Sequence, residues 1–277
     1  MKYIFYVFEY LRNKNKFFKL APSALLAAVL LIFIAPIPSV NEFLAGFFDR
    51  DFYAYGNFPE IFFGITNFKL HTALLLPVTM VVLTVTISYI SAIVERDMHI
   101  GDFHYVRFAK SVNNNFVPNL IFVFFSIVTA EFFFTAAAVF INLWVVAFGG
   151  FELGAFILSA ATLLLTIILT ALIFSMLIVW PAFMTYTGMK SFASLAHTLR
   201  LKKRNLEVAA AIALPLIVYE TVYVALMFTK IAAAGAVVNA LFIMFACVYV
   251  PVLVNTVYYD VSGLEREDLK KFSIWRK

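Results

Sequence analysis

Six stretches of this chain are each long and apolar enough to cross the hydrocarbon core of a bilayer, which takes about 20 residues of helix. They run from Leu20 to Val40, His71 to Ile93, Phe116 to Phe148, Phe156 to Trp180, Val208 to Thr229 and Ala236 to Val257. Nothing between them alternates polar and apolar residues over the length of a strand, which sets aside a lipid-facing barrel. The fold class that follows is all-α, a polytopic membrane protein of six transmembrane helices. No polar stretch is long enough for a separate soluble domain, so residues 1–277 read as a single membrane domain. The third span is overlong and is expected to tilt or protrude.

Composition agrees: 64% of residues are hydrophobic and 13% charged, against roughly 45–50% and about 25% in soluble domains. That excludes an ordinary water-soluble enzyme and a disordered tail. The single cysteine, Cys247, lies in an apolar run, so neither an intrachain disulfide nor a thiol-ligated metal site is expected. The net charge of +5 does not point to nucleic acid, because the charges gather at the ends of apolar segments.

Eighteen of the 21 basic residues fall in residues 1–19, in the loops before the third and fifth spans, and in the tail; Arg50, Lys69 and Lys230 lie on the other side. Basic loops face the cytoplasm, which places both termini there and requires an even number of spans in a plasma membrane. The first span is too long for a signal-peptide core and no small-x-small cleavage site follows, so it reads as an uncleaved anchor. Before it, Tyr3, Phe5, Tyr6, Phe8, Tyr10, Phe17 and Phe18 stand among lysines, the mix expected of a helix over 1–19 lying in the headgroup layer.

The cytoplasmic segments echo one another. Lys14-Asn15-Lys16-Phe17, Asn113-Asn114-Asn115-Phe116 and Lys203-Arg204-Asn205-Leu206 each make a basic or amide-rich corner ahead of an odd-numbered span. Three copies of an interfacial helix followed by a transmembrane hairpin would produce that pattern; so would basic and amide residues collecting at any cytoplasmic membrane edge. At the far end, Ser262 and Glu265 have capping-box spacing, and Glu267 with Lys271 makes an i, i+4 pair, so a cytoplasmic helix is expected within 262–277.

Of the acidic residues, Glu131 and Glu220 lie deep within spans, near the midplane when counted at 1.5 Å per residue from the cytoplasmic ends. No Lys, Arg or His shares their depth. Intramembrane carboxyls are costly to keep, so a proton or cation site is one reading, with Thr135, Tyr219 and Tyr223 supplying hydroxyls nearby. The other is that each carboxyl hydrogen-bonds a neighbouring helix and holds the bundle together. Ser159, Thr162, Thr166 and Thr170 form a hydroxyl stripe expected to pack on a helix rather than line a pore. Pro77, Pro215 and Pro251 interrupt their spans and are expected to kink them.

The aromatic outer loop from Asn41 to Lys69 is too apolar to hang in water and reads as a cap over the bundle or a contact for a partner. There is no G-x-x-x-x-G-K-[ST] loop, so any use of ATP would need another subunit. His99 and His104 beside Asp97 and Asp102 fit no metal spacing and read as solvated interface residues. No catalytic residue, cofactor or metal is assigned.

Residues 95–122, ERDMHIGDFHYVRFAKSVNNNFVPNLIF, resemble the cytoplasmic corner of bacterial six-helix membrane proteins of the YesL kind, with an acidic turn, a Phe-rich helix and an Asn-Phe step into the next span. The segment from Trp180 to Pro215, with Pro181 opening the loop, resembles the second cytoplasmic helix of that family and of related glycerophosphodiesterase-type membrane domains. The long outer loop departs from the pattern. The resemblance implies accessory work in membrane transport, of the sort associated with sugar uptake in Gram-positive bacteria, and names no substrate.

The leading expectation is therefore a non-enzymatic membrane component of a transport system. Cytoplasmic helices near 98–112 and 188–203 would dock a soluble partner such as an ATPase or another transport subunit, with Arg107, Lys110, Arg200, Lys202, Lys203 and Arg204 meeting the partner or lipid headgroups. A homo-oligomer is compatible with the same surfaces. The alternative is a self-sufficient proton- or cation-coupled carrier or channel built on Glu131 and Glu220. A lipid-modifying enzyme is disfavoured for want of a nucleophile, metal set or phosphate loop.

Overall fold

The computed structural model describes residues 2–34, 58–66, 70–148, 152–200, 205–227 and 232–269. Ten helices are named here in chain order: α1 (Lys2–Arg12), α2 (Lys16–Ile34), α3 (Phe58–Ile65), α4 (Leu70–Ile100), α5 (Phe108–Ala147), α6 (Glu152–Leu177), α7 (Trp180–Thr187), α8 (Ser191–Arg200), α9 (Asn205–Met227) and α10 (Ala232–Ser262). Among the described residues there is no strand. Five helical segments, spanning Ala73–Ile100, Phe108–Ala147, Leu153–Thr187, Asn205–Tyr223 and Ala234–Ser262, are long and apolar enough to cross a membrane. The predicted first span is described only to Ile34, as α2.

These helices form because lipid offers the backbone no hydrogen-bond partner, so each crossing segment must satisfy its own amides. Their outward faces bear Leu26, Leu74, Phe132, Val146 and Leu165, all exposed. A belt of that extent is stable against acyl chains and not against water. The chain is a multi-pass membrane protein.

The packing closes a circuit. α4 lies on α5, α5 on α6, α6 on α9, α9 on α10, and α10 returns to α4. α2 packs into the seam of α4 and α10, while α3 rests on α5, where Ile61 and Ile65 meet Ala138, Ile141 and Leu163. Polar contacts stitch neighbouring helices, as is common within bilayers. Asn119 Nδ2 donates to Ser88 Oγ across α5 and α4. Asn255 of α10 donates to Ser91 of α4 and accepts from Tyr186 of α7.

Several expectations change. α5 is 40 residues long, about 60 Å at 1.5 Å per residue against a hydrocarbon core of about 30 Å, so it protrudes well beyond the lipid. The separate interfacial helix expected at 98–112 does not exist: α4 runs on to Ile100, residues 102–107 are irregular, and α5 begins at Phe108. The physical stop is Gly101, which takes φ +73° after α4 and donates its amide to Asp97 O. Of the other expected interfacial helices, α1 and α8 are present, and residues 267–269 are helical at the end of the described chain.

The fourth span breaks at Ile178–Val179, and Pro181 falls in the first turn of α7 instead of opening a loop, where its missing amide costs nothing. Ser262 is the last residue of α10, not the start of a helix, because Gly263 at φ +66° ends α10 there. Lys271 lies outside the described residues, as does the outer loop apart from α3 and Thr66. Pro77, Pro215 and Pro251 sit inside helices that continue through them.

Gly101 is constrained twice, since a Cβ there would also lie 3.1 Å from the Glu267 carbonyl oxygen. Gly101→Ala is expected to lower stability in detergent by about 1–3 kcal/mol, read from thermal unfolding. Gly188→Ala shares a positive φ but has nothing within 4 Å, and is expected to lose less.

Candidate functional site

An open-sided cavity of about 400 Å³ lies among the helices of the circuit. α4 contributes Leu76, Thr79, Leu83 and Ile87; α5 contributes Phe122, Ser126, Ile127 and Glu131; α10 contributes the stretch from Phe242 to Leu253. Phe174 of α6, Ile178, Ile212 of α9 and Leu31 of α2 complete the wall. Its surface is overwhelmingly apolar, and among the described residues Glu131 is the carboxylate on it.

The polar side chains around it are mostly engaged. Thr79 Oγ1 donates to the Leu75 carbonyl, and the Tyr249 hydroxyl donates to the Ala211 carbonyl, tying α10 to α9. Ser126 differs: its hydroxyl oxygen is buried and has no hydrogen-bond partner among the described residues. Cys247, buried and reduced, borders the same space.

Of the residues singled out from sequence, Glu131 is thus placed on a cavity wall. Glu220 is not among the lining residues, and its neighbours Tyr219 and Tyr223 turn to the start of α10. Tyr219 donates its hydroxyl to Asn239 Oδ1 and stacks on Phe242 at 4.0 Å between centroids. The Tyr223 hydroxyl crowds Gly235, where a Cβ would come within 3.2 Å of it. Thr135 is half-buried on α5, one helical turn beyond Glu131. The hydroxyl stripe of α6 packs: Trp144 Nε1 donates to Thr162 Oγ1, while Thr166 and Thr170 are buried.

Arg107 immediately precedes α5 and Lys110 lies in its first turn, both exposed. Arg200 ends α8 and is also exposed, while Lys202, Lys203 and Arg204 lie outside the described residues. α8 turns polar residues inward and apolar ones outward. Ser194 and Thr198 are buried, and Trp180 Nε1 donates to Ser194 Oγ and the Ser191 carbonyl. Phe192 is 87% exposed, with Ala196 and Leu199 on the same side.

Sequence reasoning missed a buried charge cluster where α1, α2, α4 and the segment after α10 meet. Lys16 Nζ donates to Asp97 Oδ2, with both side chains 2% exposed. The Lys16 ammonium lies 4.1 Å from the centroid of the Tyr10 ring, a cation–π contact. Arg266 also approaches the Tyr10 ring, at 5.9 Å from its centroid, and makes two bonds to Asp268. Burial pushes the Tyr10 hydroxyl well above its usual range, and the Asp97 charge beside it adds to the effect. Asp97 is therefore no solvated interface residue. His104, His99 and Asp102 are exposed, with His104 paired to Asp102 at 3.2 Å. The available signal was a lysine and an aspartate each at the membrane end of a span, where an unpaired charge is expensive.

Comparison of the chain with protein-family models, with curated proteins and with solved structures returned no match.

Breaking the Lys16–Asp97 pair from one side leaves a buried charge uncompensated. Lys16→Met is expected to cost about 3–5 kcal/mol in thermal or denaturant unfolding, and Lys16→Met with Asp97→Leu to recover most of it.

Proposed function

We propose that this protein is a non-enzymatic integral membrane component of a transport system, with six crossings in three hairpins, both termini cytoplasmic and the plasma membrane as its home. The observation that carries this reading is the closed circuit of long apolar helices around a ligand-sized cavity. Cavities of about 300–1,000 Å³ are the usual size for small-molecule sites. A purely structural bundle has no need of one, since interiors pack to near-crystalline density.

The surface of α8 supports a docking role. Its outward Phe192 and Leu199, beside exposed Lys190 and Arg200, give an apolar stripe flanked by positive charge. That stripe suits an acidic-rimmed apolar groove on a soluble transport subunit such as an ATPase. Affinity capture from native membranes is expected to bring down such a subunit. Phe192→Ser with Arg200→Ala is expected to lose it while the bundle still unfolds at the same temperature. Capture unchanged by the double substitution would exclude α8 as the docking element.

A second reading is favoured by the position of Glu131: a self-sufficient carrier in which that carboxyl couples transport to protons or cations. An ionisable group on an otherwise apolar wall inside the membrane is costly to keep, and such groups commonly mark proton or ion pathways. In proteoliposomes, Glu131→Gln is then expected to abolish the pH dependence of flux, whereas a purely accessory subunit would keep its partner and its assembly.

Cytoplasmic termini are tested with the same protein. Cys247 is buried, so a cysteine placed at exposed Lys14 is expected to react with an impermeant maleimide only after cells are opened.

A further inference from the structure

We propose that the open-sided cavity takes one acyl chain of a membrane phospholipid, entering beside Leu76 and ending with its terminal methyl against Ile87, Ile178 and Leu253. The assignment deepens the transport reading by naming the class of ligand, and rests on it only for that ligand's release; occupancy itself is read without flux.

The shape of the space comes first. Its wall runs from Leu76 to Ile87 on α4 and from Phe242 to Leu253 on α10, about 16 Å along each helix at 1.5 Å per residue. That is close to half of a hydrocarbon core of about 30 Å, the depth that the acyl chains of one leaflet fill. The two ends differ. Among the lining residues Leu76 alone is exposed, at 36%, and its neighbours Leu74 and Val78 are exposed at 70% and 45%. Ile87, Ile178 and Leu253 are buried. One helical turn past Ile87, Ser91 is bonded to Asn255, which also accepts from Tyr186, and this polar seam shuts the far end. The cavity is thus a blind slot whose mouth is continuous with the lipid-facing surface of α4.

The wall decides what enters. A buried water needs about two to four polar partners, and Thr79 and Tyr249 direct their hydroxyls to backbone carbonyls. Polyols and hydrated ions need more partners still. Hydrocarbon needs none. Glu131 has interactions of its own within the protein, and a hydrocarbon ligand makes no claim on it. An acyl chain gains nothing by transfer, because the bilayer outside is as apolar as Leu83, Val123 and Val250 inside. Its gain is contact. An unfilled void forfeits dispersion along its whole lining, and about 400 Å³ is far larger than the gaps that packed interiors leave. Acyl chains are also the solvent at the mouth. Spread over the length of the slot, that volume is narrow, so the second chain and the headgroup stay outside.

The test uses the full chain in phosphatidylcholine nanodiscs doped with phosphatidylcholine that carries a diazirine on one chain, either near the terminal methyl or near the ester. Irradiation and peptide mapping should place the terminal label on Val123, Ile178 and Leu253, and the ester-side label on Leu76 and Phe242. Ala246→Phe and Leu83→Phe narrow the slot at mid-depth and should lose the deep label, while lipid-facing Phe132 keeps its own. Leu76→Trp, at the exposed mouth, should do the same without touching the interior, so a buried variant that fails to fold leaves this one to decide.

The proposal is overturned if neither probe reaches the closed end, or if the deep label survives in a narrowed variant that unfolds at the wild-type temperature. It is overturned equally if the ester-side diazirine labels the closed end as strongly as the terminal one. Deep labelling by a photoreactive dodecanol but not by the phospholipid would also overturn it, giving the slot to single-chain amphiphiles. Deep labelling of a protein that moves no probe lipid between leaflets supports the proposal and counts against the transport reading; lipid movement without deep labelling does the opposite.

Discussion

The contact between Lys16 and Asp97 is the point on which one end of the bundle turns. One partner opens α2 and the other closes α4, so the pair fixes both helices at the same level. Burial makes the arrangement demanding: two charges taken from water repay their desolvation only with good geometry and further polar contacts. Tyr10 supplies one such contact through its ring, which brings α1 in. Arg266 approaches the same ring from the tail. Four parts of the chain thus meet around one ion pair. The corner that delivers Lys16 is strained, with Lys14 and Asn15 both at positive φ. Asn tolerates that region better than Lys does, so the burial of Lys16 and the packing of α1 offset a local cost of about 1–2 kcal/mol at Lys14.

Beyond that edge, the bundle is governed by the division of its polar groups. Those at helix seams bond to one another, as Ser88 does with Asn119 and Asn255 with Ser91. Those around the cavity are few, and two of them are turned to their own backbone or a neighbour's. The cavity is therefore hydrophobic by construction and not merely by composition. Its remaining polar character is concentrated on one face of α5, at Ser126 and Glu131, and this asymmetry gives the space a direction.

The helical class and five of the six expected crossing segments were legible because about twenty apolar residues in a row suit a membrane span. Glu131 could be singled out for the same reason, since an acid inside such a run is conspicuous. The cavity was not legible, because its wall is drawn from six helices and looks, residue by residue, like any lipid-facing surface. The break at Ile178–Val179 left no polar mark in the sequence. Asp97 was misread because its neighbours Asp102 and His104 are solvated, and periodicity does not say which of several clustered charges turns inward. The missing helix at 98–112 is another such case: Gly101 ends α4, but its significance lies in the close approach of Glu267, which no local pattern records.

The seating of α1 bears on how the molecule is assembled. Tyr3, Val7, Tyr10 and Leu11 form its buried face, and α10 is among the helices that face meets. Lys2 and Tyr3 both donate to Asp260, 258 and 257 positions away along the chain. During synthesis the amphipathic opening segment must therefore wait at the membrane surface, held by exposed Phe5 and Phe8, until the final crossing has been inserted. A chain stalled before α10 would leave the buried face of α1 without part of its seat and Lys2 and Tyr3 without Asp260.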